Sequence, residues 1–259
     1  MKNIFFICMF GLLAFAGCSD NEEEILTGGN IDIDMLPPNQ PNDVIDEKLF
    51  AVINLDYPGL EKAKEFYNSG KYYYAVNELL EYYRNRTSVI NPNIQLMNTP
   101  ITASELNIAD QALENRFYVR GFAERVEDGK EIYYSFTKDN KIDWSFIPSK
   151  VTDQEFKYQI HRHQWMLPQV KAYRISKDEK YIQSWIEAYG SWIETFPYTP
   201  GTIFPPAGGS ENDVDYQWKG LQVAERVLSQ VDIMPYFIHS TNFTPEWLST
   251  FLVAFEKEV

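Results

Sequence analysis

The stretch from Phe156 to Pro197, FKYQIHRHQWMLPQVKAYRISKDEKYIQSWIEAYGSWIETFP, constrains the fold more than any other part of the chain. In its second half Tyr181, Trp185, Ala188 and Trp192 recur at helical spacing, and Ile182, Ile186, Tyr189 and Ile193 form the adjoining row. An apolar face that wide belongs to a helix buried between neighbours. In the first half the apolar row Phe156, Ile160, Leu167, Val170 is interrupted by His163, beside Arg162, Gln164 and Trp165. The stretch therefore predicts a helical hairpin with a polar, ring-rich corner.

The flanking segments predict more helices. Asp46 to Asn54 reads as a short helix, and Tyr57–Asn68 and Lys71–Arg86 read as a helical pair punctuated by Gly70. Ala103 to Phe117 continues the pattern. The following GFAERVEDGKEIYYSFTKDNKIDWSFIPSK changes character, with turns at Asp128-Gly129 and Asn140 that suggest an irregular hairpin. Its aromatics suit either one wall of a cleft or the covering of helix ends. After the Gly- and Pro-rich YTPGTIFPPAGGSEND, a helix over Val214–Val231 is expected to bury Trp218, Leu221 and Leu228. Glu225 interrupts that row and Arg226 follows it, so an internal carboxylate there could pair with a guanidinium. Thr244-Pro245-Glu246 starts a last helix carrying Trp247, Phe251 and Phe255.

Charge excludes one class of function. The chain carries a formal −14, and a nucleic-acid binder needs a basic footprint that is absent here. Much of the acidity is local: nine Asp and Glu between Asp20 and Glu47, with no Lys or Arg among them, leave a body near −6 that can still hold a basic pocket. Val151–Ser176 has Lys157, Arg162, Lys171 and Arg174 against Asp153 and Glu155. His161 and His163 lie two residues apart and would point to different helical faces, which argues against a two-histidine metal site. His239 reads as structural. There is no nucleophile elbow, no phosphate loop and no metal-ligand spacing, so no cofactor and no metal are expected.

The two cysteines, Cys8 and Cys18, both fall in the leader, in which an apolar run from Ile4 to Ala16 stands behind Lys2 and ahead of Cys18. Its end, LAFAGC, resembles a bacterial lipobox, which implies lipidation of Cys18; an ordinary signal peptide with a chance cysteine is the alternative. The expected organisation is a signal peptide over 1–17, an acidic flexible tether over 18–45 and a helical domain over 46–259. The product would be exported and anchored by lipid alone at the outer membrane, on its periplasmic face or at the cell surface.

Taken in order, NLDYPGLEKAKEFYNSGKYYYAVNELLEYYRNR, QIHRHQWMLPQVKAYRISKDEKYIQSWIEAYGSWIETFP and DYQWKGLQVAERV resemble the N-terminal toroid of the heparinase II/III superfamily, in particular its heparinase III-type heparan-sulfate lyases. The resemblance covers about residues 46–259. It implies an all-α fold, an incomplete (α/α) toroid of antiparallel helix pairs with a small irregular hairpin excursion. It also implies β-elimination on uronic-acid glycosaminoglycans: an Asn or Gln neutralises the uronate carboxylate, a Tyr or His takes the C5 proton and a Tyr protonates the leaving oxygen. By the family pattern those groups lie beyond Val259, so the chain would be a truncated portion without a catalytic residue, inactive alone, whose partners are an acidic polysaccharide and the missing toroid and β-sandwich. Arg162 and His163 match the region bordering the family's cleft, with Gln164, Trp165, Tyr216 and Trp218 as further substrate-binding candidates. The rival expectation is a non-catalytic helical glycan-binding lipoprotein similar to SusD-like uptake components.

Overall fold

The computed structural model describes residue 36 and residues 45–86, 98–127, 130–198 and 216–259. The leader with Cys18, the acidic tether before residue 45 apart from residue 36, the Asp128-Gly129 turn and residues 199–215 lie outside the described residues, as does the side chain of Tyr216. The rest is mostly helical: α1 (Leu49–Val52), α2 (Glu61–Asn68), α3 (Tyr72–Asn85), α4 (Ala103–Ala112), α5 (Glu155–Ile160), α6 (Leu167–Ser176), α7 (Lys180–Thr195), α8 (Gly220–Phe237) and α9 (Pro245–Glu256).

α7 is the centre, as its sequence demands. Tyr181, Ile182, Trp185, Ala188, Tyr189 and Trp192 are buried, and burying each large ring stabilises by about 2 kcal/mol. Trp185 packs against Phe237 at the end of α8, Phe243 in the connecting turn, and Trp247 and Phe251 of α9. On its other side, Tyr181 donates to Asp110 of α4 at 2.8 Å. The antiparallel pair α2 and α3 is joined by a turn in which Gly70 takes φ +71°, and α3 packs on α9. Gly59 ahead of α2 stands at φ +93° with the Tyr82 ring 3.0 Å from where a Cβ would lie, so both backbone and space call for glycine there.

Two helix starts follow their caps. Thr102 and Glu105 form a capping box on α4, in which each side chain satisfies a backbone N–H at the helix start, and Glu105 also pairs with Lys171 of α6 at 2.5 Å. Thr244 caps α9 by accepting from the Trp247 N–H at 3.3 Å, with Pro245 at the first helical position.

The excursion between α4 and α5 consists of two short antiparallel hairpins. β1 (Arg125–Glu127) pairs with β2 (Lys130–Ile132), and β3 (Thr137–Lys138) with β4 (Lys141–Ile142). Asp139 and Asn140 both take positive φ, as a tight two-residue hairpin turn requires. Of the two roles open to its aromatics, packing is the one observed. Tyr133, Phe136 and Trp144 are buried, and Phe136 stacks in parallel on Phe156 of α5 at 5.9 Å.

Candidate functional site

The single helix expected through His163 is instead broken there. α5 ends at Ile160, His163 adopts the left-handed conformation (φ 58°, ψ 12°), a 3-10 turn covers Gln164–Met166, and α6 starts at Leu167. The chain reverses at a polar corner. A non-glycine residue held in the left-handed region costs about 1–2 kcal/mol, so the surroundings must fix it. They do so through a wholly buried hydrogen-bond chain. The Trp185 indole, which can only donate, gives its proton to Gln230 Oε1 at 3.2 Å. That orients the Gln230 amide nitrogen to donate to His163 Nδ1 at 3.0 Å. The neutral His163 therefore carries its proton on Nε2, which is buried without a hydrogen-bond partner. By the same logic the Trp192 indole donates to His161 Nδ1 at 3.0 Å and puts the His161 proton on Nε2.

Arg226 closes the corner from α8. It is fully buried, with Nε donating to Glu258 Oε1 at 2.8 Å and Nη1 to the carbonyls of His161 at 3.0 Å and Gln217 at 3.1 Å. The guanidinium lies 4.1 Å from the centre of the Trp192 ring and 5.2 Å from that of Trp218. Arg226 Nη2, Glu258 Oε2, Tyr189 Oη and Gln217 Oε1 are buried without a hydrogen-bond partner of good geometry. Burial, reinforced by the Arg226 charge, pushes the His161 pKa down to about 3 and holds His163 well below the ordinary histidine value. Burial raises Glu258 against the opposing pull of Arg226. Burial and the Glu258 charge raise Tyr189. Both corner histidines are thus enclosed, neutral and unable to take a proton from a ligand in solvent.

The residues singled out from the sequence separate into two groups. At the rim, Arg162 is half-buried and donates from Nη1 to Glu155 at 2.7 Å, while exposed Gln164 donates to Glu225 at 2.7 Å. In the interior stand His163, Trp165 and Trp218. Trp165 stacks on Phe117 with ring centres 3.9 Å apart and donates to the Ile160 carbonyl at 3.1 Å. His163, Trp165 and Trp218, expected from the sequence to face a ligand, are buried, each enclosed by rings or by Arg226.

A second correction concerns α8. Leu221 and Leu228, expected inside, are 58% and 56% exposed, whereas Gln222, Arg226, Ser229 and Gln230 are buried. Glu225, expected inside, accepts from Gln164 at the rim, and the buried carboxylate paired with Arg226 is Glu258. The periodicity rule assumes that the apolar side faces inward, and here the inward face is polar because it serves the corner. Arg226, Glu258, Gln230 and Tyr189 are the members of the cluster that sequence reasoning does not assign to a site. A helical row of Gln222, Arg226, Ser229 and Gln230 spaced by three and four residues is the available signal.

Among the described residues no group of three His, Cys, Asp or Glu could hold a metal ion, and no helix is long and apolar enough to cross a membrane. An open cleft of about 750 Å³ between α2 and α3 shares no residue with the corner, and its wall includes Glu61, Glu78 and Glu81.

Residues 49–259 match the Heparinase II/III N-terminus family. The chain belongs to that family. The heparin-sulfate lyase of Bacteroides thetaiotaomicron is 52% identical over 259 residues, all of this chain and 35% of the relative. The heparin-sulfate lyase of Bacteroides stercoris is 37% identical over 217 residues, covering 81% of this chain and 31% of the relative. Among solved structures, the crystal structure of heparinase III superposes with a TM-score of 0.72 at 49% identity, covering 83% of this chain and 31% of that one. The heparan sulfate lyase HepC of Pedobacter heparinus gives 0.66 at 29% identity, over 82% and 31%. The chain spans about a third of the length of these heparinase II/III relatives. Its described helices are the mostly helical fold of their matching portion.

Proposed function

We propose that this chain supplies the helical, substrate-side portion of a β-eliminating polysaccharide lyase acting on heparan-sulfate-like uronate polymers, and that it does not cleave by itself. The observation that carries the reading is the kinship over its whole length with heparin-sulfate lyases. The corner agrees with such a role. It presents donors at its rim and keeps its histidines neutral inside, which suits holding an acidic sugar chain better than abstracting a proton. Arg162 is the residue proposed to meet a substrate carboxylate or sulfate, in exchange for or beside Glu155, with Gln164 next to it. His163, Trp165 and Trp218 support that rim from within, and Tyr216 is kept as a candidate by its place beside Gln217 and Trp218.

The test is binding of a heparan-sulfate oligosaccharide to the chain and to its Arg162→Ala variant. A charge-assisted hydrogen bond contributes about 1.5–3 kcal/mol, so binding is expected to weaken by at least about tenfold. Because the Arg162 side chain is only 13% exposed, the helical content and urea midpoint of the variant are measured beside its affinity, and weakened binding by a variant that stays folded is the expected outcome. Unchanged affinity would remove Arg162 from the site. Tight glycan binding by a full-length version that never forms an unsaturated uronate would instead support a non-catalytic binding lipoprotein. Export and anchoring through Cys18 are proposed on the LAFAGC motif, and labelling with a radioactive fatty acid that disappears in Cys18→Ala is the expected outcome.

A further inference from the structure

Away from the corner, one large ring is held in place without being buried. Tyr57, 54% exposed, sits in the turn that leads from α1 into α2. The turn is braced by its own hydrogen bonds. The Asp56 N–H donates to Asn54 Oδ1 at 3.0 Å, the Tyr57 N–H to the Asn54 carbonyl at 3.1 Å and the Gly59 N–H to Glu61 Oε1 at 3.1 Å. The Tyr82 ring of α3 lies against Gly59 and meets the Tyr57 ring edge-on, with centres 6.4 Å apart. A lone exposed tyrosine needs no explanation, but this one stands as a ridge between two depressions. On one side is the cleft of about 750 Å³ between α2 and α3, and on the other a hollow of about 330 Å³ that reaches Leu55, Lys64 and Asn68. Tyr57 and Glu61 belong to the walls of both.

The walls offer hydrogen bonds without a surplus of positive charge. In the cleft, Glu81 is paired with Arg84 at 2.8 Å, and exposed Asn85 donates to the Glu81 carbonyl at 2.9 Å. Burial raises the pKa of Glu78 and the charge of Lys62 opposes it, so this carboxyl too has a cation beside it. The hollow adds Asp56, ion-paired with Lys64, and Glu65. A sulfate or uronate would meet carboxylates here and no unbalanced cation. A sugar with free hydroxyls meets a better match: an aromatic ring takes its C–H face, and planar carboxylate and carboxamide groups bond neighbouring hydroxyls. We propose that Tyr57 and the depressions on either side of it bind an oligosaccharide of uncharged sugars, one residue stacking on the Tyr57 ring and its neighbours lying in the cleft and the hollow. The braced turn holds the ring ready before the ligand arrives, so little ordering is lost on binding. The site shares no residue with the corner and takes a glycan for which the Arg162 rim is not built. It therefore goes beyond the lyase reading and does not depend on it.

The experiment titrates the chain calorimetrically with maltohexaose, cellohexaose and chitohexaose, all uncharged, and repeats the titration with Tyr57→Ala and Tyr57→Trp. Circular dichroism checks that each variant keeps its helices. At least one hexaose is expected to bind. Its affinity should fall at least about tenfold in Tyr57→Ala and persist in Tyr57→Trp, which keeps a broad aromatic face. A heparan-sulfate oligosaccharide should not displace the bound hexaose. Binding of none of the three, or unchanged affinity in a folded Tyr57→Ala, would overturn the proposal. So would displacement by the heparan-sulfate oligosaccharide, which would put the uncharged sugar on the Arg162 rim. Should Tyr57→Ala lose its helices, Asn85→Ala on the opposite wall decides: weakened binding supports the site and unchanged binding overturns it. No step uses elimination activity, so the lyase reading can fail while this site stands, or the reverse.

Discussion

At the scale of single residues, the corner is built from groups whose burial fixes their charge. His161 has its pKa pushed down to about 3 by burial and by Arg226, against 6.5 for an unperturbed histidine. Between those values the unfolded chain takes up a proton that the folded chain refuses. The stability that neutral His161 provides is therefore fully present above about pH 6.5 and lost as pH falls towards 3, by about 1.4 kcal/mol per pH unit. His163 moves in the same direction. Glu258, whose folded pKa is raised, works the other way and returns part of the loss as it protonates. Urea midpoints should fall between pH 7 and pH 5. In His161→Asn, where an amide oxygen can still accept from Trp192, the fall should be shallower. An unchanged slope would mean that His161 is protonated in the folded state.

The same residues show where sequence reading stops. His163 stands out in the sequence because a polar group interrupts an apolar row. Its left-handed backbone is not legible, since nothing about a histidine announces positive φ. Pro168 does announce the break: proline fits the first turn of a helix, so a start near Leu167 and an end before it are implied. Trp165 reads equally well as a ligand contact or a core residue, because tryptophan suits both sugar faces and cores. Its stacking on Phe117 depends on where the hairpin excursion lands, which no local pattern fixes.

At the scale of elements, α7 and α8 make opposite cases. α7 is legible because its buried face is both apolar and periodic. α8 misleads because its periodicity is equally regular while its burial is inverted. The consequence is energetic as well as functional. The Arg226–Glu258 pair joins the inner face of α8 to the residues following α9, with side chains only 0% and 1% exposed. Removing one partner of such a pair strands a buried charge. Arg226→Met should destabilise by about 3–5 kcal/mol, and the double change Arg226→Met, Glu258→Leu should recover much of that loss. Chemical denaturation of the two single variants and the double variant checks this. If the double variant is as unstable as the sum of the singles, the pair is not coupled, and Arg226 acts only through the His161 and Gln217 carbonyls and the two indoles.

At the scale of the molecule, a chain that spans about a third of its relatives' length presents a polar corner on one side and an exposed apolar stripe on α8. The polar corner is supported from behind by Trp185, Trp192 and Arg226. The order of the three sequence segments is enough to indicate the family and the helical fold, because the first two each carry a helix pair, the third carries the start of α8, and their spacing fixes the succession. Which side of α8 faces the core is beyond that reading, since it depends on polar groups satisfied by residues far away in sequence, such as Gln230 with Trp185 and Arg226 with Glu258. The central claim is that this chain is the substrate-side portion of a heparan-sulfate-type lyase, competent only when continued. The most direct measurement follows the ultraviolet absorbance of unsaturated uronate as heparan sulfate is incubated with the chain alone and with the chain continued by its relative's remaining length. The account predicts no rise with the chain alone and a steady rise with the continued protein; a rise with the chain alone, or none with a folded continued protein that binds the polymer, would contradict it.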